Sequence, residues 1–164
     1  MPGQCAGFLI TDASVIGTEA TAAPGWVRTR GERIIGCGAG QEAPRQDERH
    51  LVLPGARLFA GFVDVHCHGG GGASVYSGDR QDVERAARAH LLRGTTSMLA
   101  SVAARPLDEM LRAVRVIADV AKSGRAPNVV GIHFGGPFLS MSKRGAQSPA
   151  ALLEPDDQGL DLLL

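Results

Sequence analysis

The spacing of apolar residues changes along the chain, and the change predicts two kinds of structure. Up to about residue 58, apolar positions come in short runs broken by turn-forming residues. GFLITDASVI, from Gly7, alternates apolar and polar positions and carries a turn-forming Asp12. GWVRTRGERIIGCGAG predicts a hairpin around Arg30, Gly31 and Glu32, with Trp26, Val27, Ile34 and Ile35 supplying apolar bulk. QEAPRQDERH is polar and reads as loop, and LVLPGARLFAGFVDVH resumes an extended apolar pattern. No stretch in this part is long or periodic enough for a helix.

The period lengthens after Gly72. DRQDVERAARAHLLR, residues 79–93, places Val83, Ala86, Ala87, His90 and Leu91 at helical spacing, with Asp79 as N-cap and Gly94 as stop. TTSMLASVA is a strand-length run. PLDEMLRAVRVIADVAKSG predicts a second amphipathic helix, with Leu107, Met110, Leu111, Val114, Ile117 and Ala118 on one side. Pro106 fits its first turn and Gly124 its end. NVVGIHF predicts a third strand, and PDDQGLDLLL the start of a helix with Asp156 or Asp157 near its cap. Strand, helix, strand, helix, strand implies right-handed βαβ units and a parallel sheet. The working loops then lie at the carboxyl ends of the strands, in an open sheet or a (β/α)8 barrel.

Composition narrows the partners. The 164 residues are 44% hydrophobic and 21% charged, with 17 basic and 17 acidic side chains. That is a globular composition, and its neutrality gives no reason to expect nucleic acid or an anionic membrane. Cys5, Cys37 and Cys67 form no CxxC pair, which fits a reducing compartment. The start has no basic n-region, and no apolar run approaches the roughly 20 residues of a membrane helix. The expectation is a soluble, cytoplasmic protein.

Two motifs carry chemistry, and both follow expected strands. GFVDVHCHGGGG, residues 61–72, runs from a strand into two histidines. On a strand Asp64, His66 and His68 share a face and Cys67 points to the other. Two imidazoles at i and i+2 can converge on one divalent ion, Asp64 can orient a histidine, and the glycines permit close approach. Without a metal, the same text is a strand ending in a flexible turn. The glycine run is no P-loop, since no GK[ST] follows. Cys67 has no basic neighbour in sequence to make it a nucleophile. The second motif is GIHFGGPF, residues 131–138. Its His133 reads as a core or supporting residue rather than a ligand, and His90 as packing or surface. Lys143 and Arg144 form a small basic spot where a phosphate can bind, although such pairs on loops are usually only solvated. Thr95 and Thr96 fit strand entry better than catalysis.

FVDVHCHGGGG, with Ala60 where a proline usually stands, is followed in order by GTTSMLAS, VVGIHFGGPFLS and KRGAQSPAALL. Together these resemble the N-acetylglucosamine-6-phosphate deacetylases of the amidohydrolase superfamily over roughly residues 50–155. The resemblance implies an α/β fold: the truncated start of a (β/α)8 TIM-like barrel in residues 59–164, preceded by part of a small β-sandwich in residues 1–58. A whole barrel usually takes about 250 residues, and three parallel strands leave an edge and an inner face uncovered. The resemblance further implies metal-dependent hydrolysis of the acetamide of N-acetylglucosamine 6-phosphate, to glucosamine 6-phosphate and acetate. A divalent metal, zinc or similar, would serve it, and the full-length family admits a homodimer.

Carried over residue by residue, His66 and His68 match the metal-binding pair. Gly135 stands where the family has its central glutamate ligand. Ala146 and Gln147 match an Ala-His pair that touches the sugar, with glutamine in place of histidine. The family's two later metal-binding histidines and its catalytic aspartate have no counterpart here. The chain is thus expected to be an amino-terminal portion without its own catalytic acid or base. Two other readings stand beside this one: a non-catalytic remnant or binding module, and a different amidohydrolase acting on a cyclic amide.

Overall fold

A computed structural model describes residues 7–156 and 159–161. Cys5 and Asp157, named above, lie outside the described residues. The chain divides after Ala60 into two compact units.

The first unit is a five-stranded sheet. Strands β1 (Gly7–Ile16), β2 (Thr21–Arg30), β3 (Arg33–Ala39) and β4 (Glu48–Val52) run in the order β3-β2-β1-β4, and β5 (Arg57–Leu58) also pairs with β1. The expected hairpin joins β2 to β3 across Gly31 and Glu32. Asp12 does not turn the chain. It sits at φ 61° inside β1, where the register against β2 slips between Ile10 and Ala13, so it marks a bulge. Leu9, Thr11 and Ala13 remain on the buried side.

The segment expected to be loop throughout, QEAPRQDERH, enters β4 at Glu48. The reason is a buried guanidinium. Arg28 lies inward with its Nη1 2.6 Å from Glu42 Oε1, its Nη2 donating to the Ala43 carbonyl at 2.7 Å and its Nε 2.8 Å from Glu48 Oε1. A buried cation requires such partners. Burial alone would push the Glu48 carboxyl up, but the Arg45 amide and the Arg28 guanidinium outweigh it and hold the carboxyl below its ordinary range.

The second unit is the expected parallel arrangement. Strands β6 (Phe62–Cys67), β9 (Thr95–Val102) and β10 (Val129–Phe134) form a parallel sheet in the order β10-β9-β6. Between β6 and β9 lie a short ribbon of β7 (Gly69–Gly70) and β8 (Ala73–Ser74), then helix α1 (Arg80–Leu91). Helix α2 (Leu107–Lys122) links β9 to β10. Asp79 caps α1 by accepting from the Gln81 amide at 2.8 Å. Pro106 is the N-cap of α2 rather than a residue of its first turn, and its carbonyl accepts from the Met110 amide.

The core joins Val83, Ala86 and Ala87 of α1 to Met98, Ala100 and Val102 of β9 and to Met110, Ile117 and Val120 of α2. Ala113 and Val120 take the inward role that the pattern gave to Ala118. Asn128, the one asparagine in the chain, is buried, and its Nδ2 donates to Ala87 O at 3.0 Å and Thr95 O at 3.3 Å, tying α1 to the start of β9. Val63, Val65 and Val130 stay 69%, 62% and 63% exposed, as expected of a three-stranded sheet with an uncovered face. Near the carboxyl end, Asp156 Oδ1 accepts from the Gly159 amide at the start of a helical turn.

Candidate metal centre

The carboxyl ends of β6, β9 and β10 bring three imidazoles together. His66 Nε2 and His68 Nε2 lie 3.0 Å apart. His68 Nδ1 lies 3.0 Å from the Ser101 carbonyl, which can only accept, so the ring carries its proton on Nδ1 and leaves Nε2 bare. His133 stands against His66 with ring centroids 4.8 Å apart, and its Nδ1 meets Ser101 Oγ at 3.0 Å. Burial, then the neighbouring His66 and His68, push its pKa down, which keeps this ring neutral. Ser101 is fully buried and holds two of the three rings, one through its carbonyl and one through its hydroxyl. Sequence reasoning passed over Ser101, and the signal for it was its place near the carboxyl end of the middle strand. It also missed Tyr76, whose ring meets the edge of His68 at 5.7 Å.

The residues present fit a divalent cation in part. Two nitrogens bound to one ion at about 2.0–2.1 Å can be at most about 4.2 Å apart, and these two are 3.0 Å apart. A carbonyl-anchored Nδ1–H is the usual support of a ligating imidazole. Position 135 supplies no carboxylate. A Cβ on Gly135 would lie 3.3 Å from Gln147 Nε2 and 3.4 Å from the Val102 carbonyl, so any side chain begun there presses on Gln147. Gln147 itself is pinned, its Oε1 accepting from the Ala104 amide at 2.8 Å.

His66, His133, Gly135 and Gln147 line one open cleft of about 460 Å³. Ala146 faces a neighbouring hollow of about 440 Å³, shared with Gln147, Tyr76 and Arg105. Lys143 is exposed, whereas Arg144 is committed to the Gln147 carbonyl at 2.8 Å.

Three expectations change. Asp64 does not orient an imidazole: its Oδ1 accepts from the His66 backbone amide at 3.0 Å. Strict alternation fails because the register of β6 on β9 slips between Asp64 and Cys67, which turns the Asp64 carboxylate toward Cys67 and His90. Cys67 does have a basic neighbour, His90 of α1, with its Nε2 3.2 Å from Sγ. Burial, joined by the Asp64 charge, still pushes the Cys67 thiol up, so it is no thiolate nucleophile. Third, the glycine run is no loose turn. β7 and β8 pair across Gly71 and Gly72, both at positive φ as a two-residue hairpin turn requires.

No family profile matches the chain. It is 36% identical over 107 residues to the N-acetylgalactosamine-6-phosphate deacetylase of Shewanella sp. (strain ANA-3), which covers 65% of this chain and 27% of that protein. It is 32% identical over 118 residues to the N-acetylglucosamine-6-phosphate deacetylase of Lysinibacillus sphaericus, covering 71% and 30%. It superposes with a TM-score of 0.81 and 30% identity on a variant of the Mycobacterium smegmatis N-acetyl-D-glucosamine-6-phosphate deacetylase in complex with N-acetyl-D-glucosamine 6-phosphate, covering 97% of this chain and 40% of that one. The chain therefore spans less than half the length of these relatives. Its fold and its neighbours make it a homologue of enzymes that act on carbon–nitrogen bonds. More narrowly, it is a homologue of the N-acetylglucosamine-6-phosphate deacetylases, matched over part of their length. Among the described residues no helix is long and apolar enough to cross a membrane.

Proposed function

We propose that this chain belongs to a cytoplasmic, metal-dependent deacetylase of amino-sugar phosphates, and that residues 59–164 form the first βα units of a (β/α)8 barrel behind a β-sandwich segment, residues 1–58. The substrate is N-acetylglucosamine 6-phosphate and the products are glucosamine 6-phosphate and acetate. The observation that carries this reading is the pair of converging Nε2 atoms on His66 and His68, with the His68 tautomer fixed by Ser101.

A divalent cation, when bound, polarises the acetamide carbonyl and acidifies a water. His66 and His68 would hold it. Ser101 orients His68 through its carbonyl and steadies His133 through its hydroxyl. His133 lines the cleft with its Nδ1 held by Ser101 Oγ, so Nε2 is the ring nitrogen left for a ligand. Ala146 and Gln147 border the sugar, and the Gln147 amide nitrogen serves as a donor to a sugar hydroxyl or phosphate oxygen.

The absence of a carboxylate at Gly135 favours a second reading, in which the chain binds amino-sugar phosphate without hydrolysing it. Gln147, pinned beside Gly135, suits binding more than proton transfer. One experiment separates the two. The metal-loaded full chain is given N-acetylglucosamine 6-phosphate, acetate release is measured, and ligand binding is followed by calorimetry. Acetate release lost in His66→Ala supports the hydrolase. Binding without release supports the second reading, and neither signal overturns both.

A further inference from the structure

Behind the imidazole pair lies a cluster that the deacetylase reading does not use. Cys67 Sγ is 3.2 Å from His90 Nε2. One ligand atom each from Asp64, Cys67 and His90 lies within 4.8 Å of the other two. The bulge in β6 supplies Asp64 and Cys67, and the last turn of α1 supplies His90. A second observation concerns Gly70. A Cβ there would lie 2.8 Å from His90 Nε2, so a side chain at residue 70 would displace the imidazole from its present place beside the sulfur.

We infer that Asp64, Cys67 and His90 form a second cation site, for a thiophilic divalent ion of the zinc class. Zinc bonds of about 2.3 Å to sulfur and 2.0–2.1 Å to nitrogen allow the two atoms to stand up to about 4.4 Å apart on one ion. The observed 3.2 Å lies inside that limit. The Asp64 carboxylate, within 4.8 Å of the other two ligand atoms, has to swing in to about 3.5 Å from them to complete three ligands, and water takes the fourth position. One thiolate, one imidazole and one carboxylate select zinc, cobalt or cadmium over magnesium or calcium.

Loading releases the Cys67 thiol proton to solvent. The His90 proton, now directed from Nε2 at the Gly69 carbonyl 3.0 Å away, passes to Nδ1 and frees the Nε2 lone pair. One proton leaves per ion bound. The ion would fasten α1 to the strand that carries His66 and His68, a structural role independent of the reaction.

The test uses the full chain with Cys5→Ser and Cys37→Ser, which leaves Cys67 as its one thiol. Cobalt(II) is added to the metal-free protein under nitrogen. A thiolate-to-cobalt charge-transfer absorption is expected to saturate at one equivalent, to persist in the His66→Ala/His68→Ala variant and to vanish in Cys67→Ala. His90→Gln keeps the thiol and guards against misfolding of Cys67→Ala; it is expected to weaken cobalt binding at least about tenfold. Absence of the thiolate band from the parent chain overturns the proposal, as does undiminished affinity in His90→Gln. Acetate release is not the readout, so failure of this site and failure of the deacetylase reading are distinguishable.

Discussion

The two units each gather polar side chains into a cluster, and they do so to opposite effect. Around Arg28 in the first unit the charge is matched: the guanidinium faces Glu42, Glu48 and the Ala43 carbonyl. At the strand ends of the second unit the cluster is incomplete: His66, His68 and His133 crowd together without a carboxylate among them. Completed charge holds a sheet together and asks nothing of solvent. Imidazole nitrogens that meet chiefly one another can exchange that contact for a cation. The contrast separates a structural cluster from a chemical one more clearly than burial does.

The largest effects should come from crossing the two clusters. In a Cys67→Ala background, His66→Ala/His68→Ala is expected to weaken zinc binding by about 100-fold or more, with little change in the melting of the metal-free protein. Arg28→Ala is expected to do the reverse, lowering the melting temperature and leaving zinc affinity within about twofold of the parent. Chelator competition and thermal unfolding measure both, and similar behaviour of the two variants would dissolve the comparison. Next in size, Gly135→Glu supplies the missing carboxylate once the Gln147 amide moves aside. An affinity gain of about tenfold is expected by the same competition, and no gain would show that position 135 does not face the ion.

A smaller effect separates the units by pH. Glu48 has a folded pKa below its ordinary 4.5. Its contribution is therefore present above that value and is lost as pH falls through the lower folded pKa. The first unit should lose stability on acidification below about pH 4.5, and Glu48→Gln should flatten that dependence; an unchanged slope would remove Glu48 from the account. Smallest of all, Asp79→Ala removes one cap from α1 and should cost about 1 kcal/mol in denaturant unfolding, with metal affinity untouched.

Much of the second unit was legible because its signals are local. Asp79, the spacing of Val83, Ala86 and Ala87, and the alternation of strand and helix fix α1, α2 and a parallel sheet within short windows. His66 and His68 were legible for the same reason, since residues two apart on a strand meet. What escaped depends on partners far along the chain. β4 looked polar because Glu48 faces Arg28 on another strand. The slip of β6 against β9 reversed the side of Asp64, and nothing in VDVHC announces it. Cys67 found its basic neighbour 23 residues away, on a helix face that read as packing. The nearness of Gly135 to Gln147 was not legible either, because the path from 135 to 147 has no period to follow.

Ser101 has one further consequence. It grips His68 with its backbone and His133 with its side chain, so two donors from opposite edge strands share a single reference point. If the middle strand drifts, both rings are carried with it, and their spacing is preserved as a common displacement instead of accumulating as two separate errors. Precision at such a centre can therefore survive a scaffold that is itself imprecise, provided the gauge that sets the distance is a single residue.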